Sequence, residues 1–240
     1  MIVFLFRRFV SLGISQKAPD HSVFSRFRDQ LIKHDLYEKL FHELNRQLEE
    51  KGLIIKKGTL IDATVIEAAA KKPTQNEDGT GGRSDQDSEA TWTKKGGKYL
   101  FGYKAHLGVD QKSELIRKVQ MTPASVYDGN VFFPLLSGDE KWVFADKAYD
   151  IQENSDTLQC RKIQNGILIK GARNRPLGVI EKHCNRVLSK LRSPVERVFG
   201  TMKRSYRYWR SKYLGLKKNT MQMTMTCIAY NLKRMGNLCA

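Results

Sequence analysis

The chain has 240 residues, 40% of them apolar, which is enough for one catalytic domain with a buried core and a small appendage. Its 42 Lys and Arg outnumber its 25 Asp and Glu, and the net charge of +17 indicates an acidic partner. The opening apolar run, residues 1–6, is too short for a membrane span or a signal peptide, so we expect a cytoplasmic protein. The cysteines lack the spacing of zinc ligands and are expected to be reduced core thiols: Cys160, Cys184, Cys227 and Cys239.

The first fifty residues are predicted to be helical. Asp20 can cap one helix, and Asp35 can cap a second one, in which leucine recurs every fourth residue until Gly52. Residues 1–52 therefore form a small helical region. Two interpretations stay open, a helix-turn-helix that reads DNA and a helical hairpin that packs on the main domain.

Strand patterns begin after this region. The first predicted strand is centred on residues 60–65, and two more are predicted within residues 99–110 and 114–125. The simplest assembly of the three is an antiparallel meander. Residues 71–97 between the first two are polar and glycine-rich without an apolar period, and we expect a mobile loop there.

The second half continues with alternating elements. Asp128 is predicted to cap a short helix, the apolar run 142–145 is predicted to be a buried strand, and residues 166–170 form a fifth strand before the basic helices. A mixed sheet places its site at the carboxyl ends of its central strands. Asp62 and Asp146 are therefore expected to meet there.

Basic residues are concentrated in one stretch of the chain. Residues 161–218 contain 17 Lys and Arg but only two acidic residues, so they carry +15 of the net +17. Solvated surfaces usually mix the two signs of charge. The stretch therefore favours nucleic acid as the partner over a merely solvated face, and an anionic membrane is disfavoured because the basic residues alternate with an ordinary core pattern.

Three acidic residues, each at the edge of a short apolar run, are the candidate catalytic residues: Asp62, Asp146 and Glu196. Two Asp and one Glu can hold two divalent ions, and such a pair of ions stabilises the attacking and leaving oxygens when a phosphodiester is displaced in line. The lysines and arginines around Glu196 would hold the polyanion.

Glu196 has two interpretations. In the first, Ser193 and Glu196 form a capping box at the start of a helix with Pro194 at its first position. In the second, Glu196 is a metal ligand beside the phosphate backbone. A helix continued to Tyr213 favours the second, because it aligns Glu196 with Gly200, Lys203, Arg207 and Arg210, opposite a core-facing stripe of Val198, Phe199, Met202, Tyr206, Trp209 and Tyr213.

These motifs resemble those of the DDE transposases of bacterial insertion sequences, in particular the insertion-sequence-five group. The matches are Asp-x-Thr in residues 61–64, Ala-Asp-x-Ala-Tyr in residues 145–149, and the spacing of Arg192, Glu196 and Lys203, with Ser189 in place of the usual Tyr. The segment of Lys104 and His106 is similar to the family's second strand. The resemblance covers nearly the whole chain.

The resemblance implies an α/β fold, a ribonuclease-H-like mixed five-stranded sheet flanked by helices, over residues 53–240. It implies an endonuclease that cleaves the ends of its own insertion sequence and joins the 3' hydroxyl ends to target DNA. Asp62, Asp146 and Glu196 would bind two Mg²⁺ ions, for which Mn²⁺ substitutes. Arg192 would support the site and Lys203 would contact the DNA, and the basic row adds Arg207 and Arg210 as DNA-binding residues.

The implied partners are double-stranded DNA, as inverted repeats and as target, and a second copy of the chain in an active homodimer. The expected location is the cytoplasm, in association with the nucleoid. The helical region 1–52 is expected to bind the element ends, and it is shorter than in full-length members. Two alternatives therefore stay open, a truncated and inactive DNA-binding remnant and a plain metal-dependent nuclease.

Overall fold

A computed structural model describes residue 7 and residues 10–74, 81–172 and 174–239. The chain divides into two compact units, Met1–Leu36 and Tyr37–Ala240. The opening apolar run, residues 1–6, lies outside the described residues. Among the helices that are described, none is long and apolar enough to cross a membrane.

The first unit contains helix α1, His21–Lys33. Its N-cap is Asp20, whose side chain accepts hydrogen bonds from the amides of Ser22 and Val23, as the sequence predicted. This carboxylate satisfies two of the amides that have no partner inside the helix.

Helix α2, Leu36–Glu50, lies from Tyr37 onward in the second unit. Phe41 belongs to the main core cluster, and the Asn45 side chain donates to the Arg117 carbonyl at 3.3 Å. Most of this helix therefore packs against the sheet. The assignment of residues 1–52 to the reading of element ends stays a prediction.

The second unit is built on one mixed sheet. Its strands are β1 Gly58–Glu67, β2 Thr91–Lys95, β3 Lys98–Asp110, β4 Ile116–Pro123, β5 Trp142–Ala145 and β6 Gln164–Ile167. The predicted α/β class is confirmed, with six strands instead of five. The additional strand, β2, lies in the segment predicted to be a loop. Residues 75–80 of that segment lie outside the described residues.

Strand β3 is the centre of the antiparallel part, since it pairs with β1, β2 and β4. The meander predicted for β1, β3 and β4 is therefore present. On its other side β1 pairs in parallel with β5, and β5 pairs in parallel with β6. The junction of these two parts is β1, the strand that carries Asp62.

Helices cover both faces of the sheet. They are α3 Gln152–Cys160, α4 Val179–Arg192, α5 Pro194–Ser205 and α6 Leu216–Cys239. Alternate residues of β1 point to opposite layers: Leu60 packs in the larger core cluster with residues of α5 and α6, and Ile61 packs in a second cluster with residues of α3. Both faces of the central strands are therefore buried.

Two predictions about single residues are wrong. Asp128 does not cap a helix; it is the first residue of the short 3-10 helix Asp128–Val131, which has no side-chain cap. Of the four cysteines only Cys227 is buried, and the other three are exposed. The sequence placed those three in the core by residue type alone, whereas the helix or helix end that carries each of them turns it outward.

Candidate active site

Asp62 and Asp146 lie next to each other on adjacent parallel strands. Ile61 pairs with Ala145, so the two aspartates follow paired residues of β1 and β5. Asp146 comes directly after β5, as predicted. Asp62 lies within β1 and not at its end, because β5 is short and pairs only with the first four residues of β1, Gly58 to Ile61.

A cavity of about 180 Å³ opens beside the two aspartates. Asp128 and Lys104 also line it, together with residues of β2. The Lys104 Nζ lies 2.8 Å from the Asp128 carboxylate and donates to the Val126 carbonyl at 2.8 Å. The cavity is therefore lined by the pair Asp62 and Asp146 and by a third acid, Asp128, which forms a salt bridge with Lys104.

Glu196 is connected to this pair through Arg192. The guanidinium of Arg192 donates to the Asp62 carboxylate at 2.8 Å and lies 3.6 Å from the Glu196 carboxylate. The side chains of Asp62 and Arg192 are 20% and 14% exposed, whereas that of Glu196 is 68% exposed. The Arg192 guanidinium thus lies between the partly buried Asp62 on the sheet and the exposed Glu196 on α5.

The capping-box interpretation of Glu196 is wrong. Ser193 has helical backbone angles and its side chain makes no cap hydrogen bond. Its hydroxyl donates instead to the Lys190 carbonyl at 3.0 Å. Because α4 runs almost directly into α5, Ser193 cannot adopt the extended conformation of an N-cap. A capping box therefore does not explain why the chain has a glutamate at position 196.

The three carboxylates do not surround a common point. Among the described residues, no three His, Cys, Asp or Glu side chains are arranged to hold a metal ion. Asp62 shares the cavity with Asp146 and shares Arg192 with Glu196. The chemistry of the donors nevertheless fits a hard divalent ion, because all are carboxylate oxygens and Asp62 is already partly dehydrated.

Burial raises the pKa of Asp62 above 3.8, against the opposing effects of Arg192, the Ala63 amide and Lys95. A carboxylate that is largely removed from water costs free energy to ionise. This is an electrostatic cost that a bound cation would relieve. Perturbed acids of this kind are concentrated in functional sites.

Asp62→Asn is expected to gain stability relative to the parent protein as the pH rises from 3.8 towards neutrality. The folded state holds the Asp62 proton more tightly than the unfolded state does, so ionisation costs stability as the pH passes from the unfolded to the folded pKa. The Asn variant has no such cost. Urea unfolding of both proteins across this range measures the difference; a difference that does not change with pH would contradict the raised pKa.

Tyr149 is a residue that sequence reasoning did not assign. Its hydroxyl is buried and has no hydrogen-bond partner in the described part of the chain. Burial raises its pKa, and the nearby carboxylates of Asp128, Asp62 and Asp146 raise it further. Its position in the Ala-Asp-x-Ala-Tyr motif was the available signal.

His106 lies on β3 behind the site and is fully buried. Its Nε2 is 2.9 Å from the Thr122 hydroxyl. Burial lowers the pKa of His106 to about 4. The nearby Asp128 carboxylate acts in the opposite direction, and Lys104 adds a smaller lowering. The imidazole is therefore neutral at physiological pH and serves as a packed polar group.

Only part of the predicted basic row, Lys203, lies on a helix. Lys203 lies on α5 and is half-buried, and burial lowers its pKa, as does the nearby Lys95. The helix ends at Ser205, however, and Arg207 has a left-handed φ of 54°. Arg210 donates to the carbonyls after β1, at 3.0 Å from those of both Ala68 and Ala69.

The apolar stripe of the same helix is correspondingly shorter than predicted. Val198, Phe199 and Met202 are buried as expected, but Trp209 is 53% exposed. The Tyr208 amide donates to the Met202 carbonyl, which closes the turn that ends α5. Helical periodicity continues in the sequence beyond the point where the chain leaves the helix.

Comparison with known proteins bears on this arrangement. Residues 55–232 match the family described as Transposase DDE domain. The chain is also similar to the transposase for insertion sequence element IS1106 of Neisseria meningitidis serogroup B. The two are 39% identical over 225 residues, which cover 89% of this chain and 78% of that protein.

The chain belongs to the DDE transposase family. The predicted resemblance to bacterial insertion-sequence transposases is thereby confirmed. As a DDE transposase, the chain is an enzyme that binds DNA, cleaves it and transfers strand ends, and its family uses divalent metal ions for this chemistry.

Proposed function

We propose that this transposase cleaves the ends of its own insertion sequence with Asp62, Asp146 and Glu196 as catalytic residues. One observation carries the proposal: Asp62 on β1 and Asp146 directly after the parallel strand β5 line one cavity, and an arginine links Asp62 to Glu196. The three residues are separated by 84 and 50 positions in the sequence. A site that uses the three acids together would account for this linkage.

The same three carboxylates are the proposed ligands of two Mg²⁺ ions, with Mn²⁺ as a substitute. When bound, such ions supply Lewis acidity and neutralise the charge that develops on the attacking and leaving oxygens. The protein itself contributes a pair of aspartates whose positions are fixed by the sheet. Strand-borne groups are more precisely placed than groups on loops.

Arg192 has the proposed role of a positioning residue. Its hydrogen bond at 2.8 Å orients the Asp62 carboxylate and favours its ionised form. The same guanidinium has further donors that can bind phosphate oxygens in a bidentate manner. Arg192 is thereby able to hold the acids together before DNA arrives and to contact the DNA backbone afterwards.

DNA is proposed to lie along the face formed by α4, α5 and the segment that follows. Lys203, Arg207 and Arg210 remain the proposed contacts, although Arg210 also holds the carbonyls after β1. Residues 1–52 are proposed to bind the inverted repeats, and two copies of the chain are proposed to act as a homodimer. The proposed location is the cytoplasm, on the nucleoid.

The test is incubation of the purified chain and Mg²⁺ with a duplex that carries the inverted repeat flanking its gene. We expect cleavage at the repeat end and joining of the free 3' hydroxyl to a target plasmid, with a scrambled duplex left intact. Equal binding of both duplexes without cleavage would identify an inactive remnant. Cleavage without joining would identify a plain nuclease.

A further inference from the structure

The hairpin formed by β2 and the beginning of β3, residues 91–102, has no assigned role. Thr91–Lys95 pairs with residues 98–102, and Gly96 and Gly97 connect the strands with φ of 57° and 78°. Two consecutive residues with positive φ form the tight turn that suits the twist of a hairpin. Its tip therefore has a defined conformation.

We propose that this hairpin is a DNA-contacting element that holds the reacting strand over the catalytic carboxylates. The inference rests on the proposed function, because it takes the aspartate pair as the place of reaction. Its first support is position. Thr93, Lys94 and Lys95 line the same cavity as Asp62 and Asp146. The hairpin is thus one wall of the site.

Charge is the second support. The hairpin has no acidic residue, and Lys94, Lys95 and Lys98 are all exposed. In the described part of the chain, no salt bridge joins any of the three to a carboxylate, whereas Lys56, Lys72 and Lys104 each have at least one. A group of exposed ammonium ions without salt bridges beside the site is complementary to the phosphates of a DNA strand.

Packing at the base of the hairpin is the third support. Trp92 packs against the main core cluster, and its ring centroid lies 5.3 Å from that of Phe101. At the tip, the Lys94 Nζ lies 5.0 Å from the centre of the Tyr99 ring. The lysines are thus presented by a packed element, which is what placing a strand at a fixed distance from the carboxylates requires.

The hairpin also continues the basic surface of α5. Lys95 lies near enough to Lys203 to contribute to lowering the pKa of that ammonium group. Two like charges near each other are unfavourable in the free protein. A phosphate between them would remove the repulsion.

One alternative explains the same lysines without DNA. Strand β2 lies at an edge of the sheet, and proteins often place lysine on edge strands to prevent pairing with other chains. Under that alternative the lysines affect solubility and not the affinity for DNA. The two explanations therefore differ in a measurable quantity.

The experiment compares two double variants of the full chain, Lys94→Ala with Lys95→Ala and, as the control, Lys112→Ala with Lys141→Ala. The control lysines are equally exposed but lie at the opposite end of the sheet, after β3 and before β5. Affinity for a duplex carrying the element end is measured against salt concentration. Each lost phosphate contact lowers the slope of log affinity against log salt by about 0.9, so we expect a decrease of about 1.8 for the hairpin pair only.

Equal slopes for the two double variants would overturn the proposal, and faster aggregation of the hairpin variant would then support edge protection.

A second measurement tests the position of the hairpin relative to the cleaved bond. A photo-crosslinker attached to Lys95→Cys, in a chain whose exposed Cys160, Cys184 and Cys239 are replaced by Ser, should react with nucleotides next to the cleaved bond, and crosslinks elsewhere would also overturn the proposal. Failure of the proposed function is distinguishable, because the parent chain would then not cleave and join the element end, whereas the salt slopes of the two double variants would still test the hairpin.

Discussion

Asp62→Asn, Asp146→Asn and Glu196→Gln are each expected to abolish DNA cleavage while DNA binding is retained. Each substitution removes one anionic oxygen ligand from the site. If this withdraws about 4 kcal/mol of transition-state stabilisation, the cleavage rate falls about a thousandfold, since about 1.4 kcal/mol corresponds to a factor of ten. Binding is retained or tighter because a negative charge beside the phosphates is lost. Single-turnover cleavage and equilibrium binding measure the two effects.

The matched control is Glu153→Gln, an exposed acid on α3 outside the site. It should cleave at the parent rate. A second measurement is the thermal stability with and without Mg²⁺: a ligand that binds only the folded state stabilises the parent protein, and the carboxylate variants should lose that effect. If Glu196→Gln cleaves like the control, Glu196 is only a surface acid in the first turn of α5.

Met202→Ala is expected to lower the free energy of unfolding by about 2 to 5 kcal/mol, the usual cost of removing a large buried apolar side chain. Met202 is 2% exposed and lies in the main core cluster with Val198 and Phe199, between α5 and the sheet. Loss of its side chain would leave a cavity beneath the helix that carries Glu196. Urea unfolding followed by circular dichroism measures the change.

Trp209→Ala is the comparison for this stability prediction. The tryptophan is the larger residue, but it is 53% exposed and lies beyond the end of α5. Its truncation should cost about 2 kcal/mol, at or below the lower end of the range for Met202, because only about half of its surface is removed from water and no enclosed cavity is left. Tyr208 in the same segment is buried in the main core cluster, so similar losses for both variants would mean that the Trp209 side chain packs there as well.

Sequence patterns predicted the elements with strong periodicity. The strands of the meander, the apolar strand before Asp146 and the helix after Pro194 all lie where alternation or helical spacing placed them. Strand β2 was missed because its short pattern is surrounded by a polar, glycine-rich segment. What makes it a strand is pairing with β3 and the packing of Trp92, neither of which is visible in five residues.

The end of α5 shows the opposite failure. The sequence continues with helical spacing through Trp209 to Tyr213, yet the chain turns at Ser205 and Arg207 takes a left-handed conformation. The continuation is decided by contacts with the end of β1, where the Glu67 amide donates to the Trp209 carbonyl at 3.1 Å. A distant strand thus overrides the local helical pattern.

The sequence by itself determined the family, the fold class and the three candidate acids, because these depend on short motifs and on the period of apolar residues. Tertiary structure alone decided how the acids relate to one another. Parallel pairing of β1 with β5 brings Asp62 beside Asp146, and the approach of α4 to the sheet puts Arg192 between Asp62 and Glu196. The ion pair of Asp62 and Arg192 is partly buried, and the lysines of the β2–β3 hairpin lie beside it. Both features result from packing between residues far apart in the chain, which no local pattern specifies.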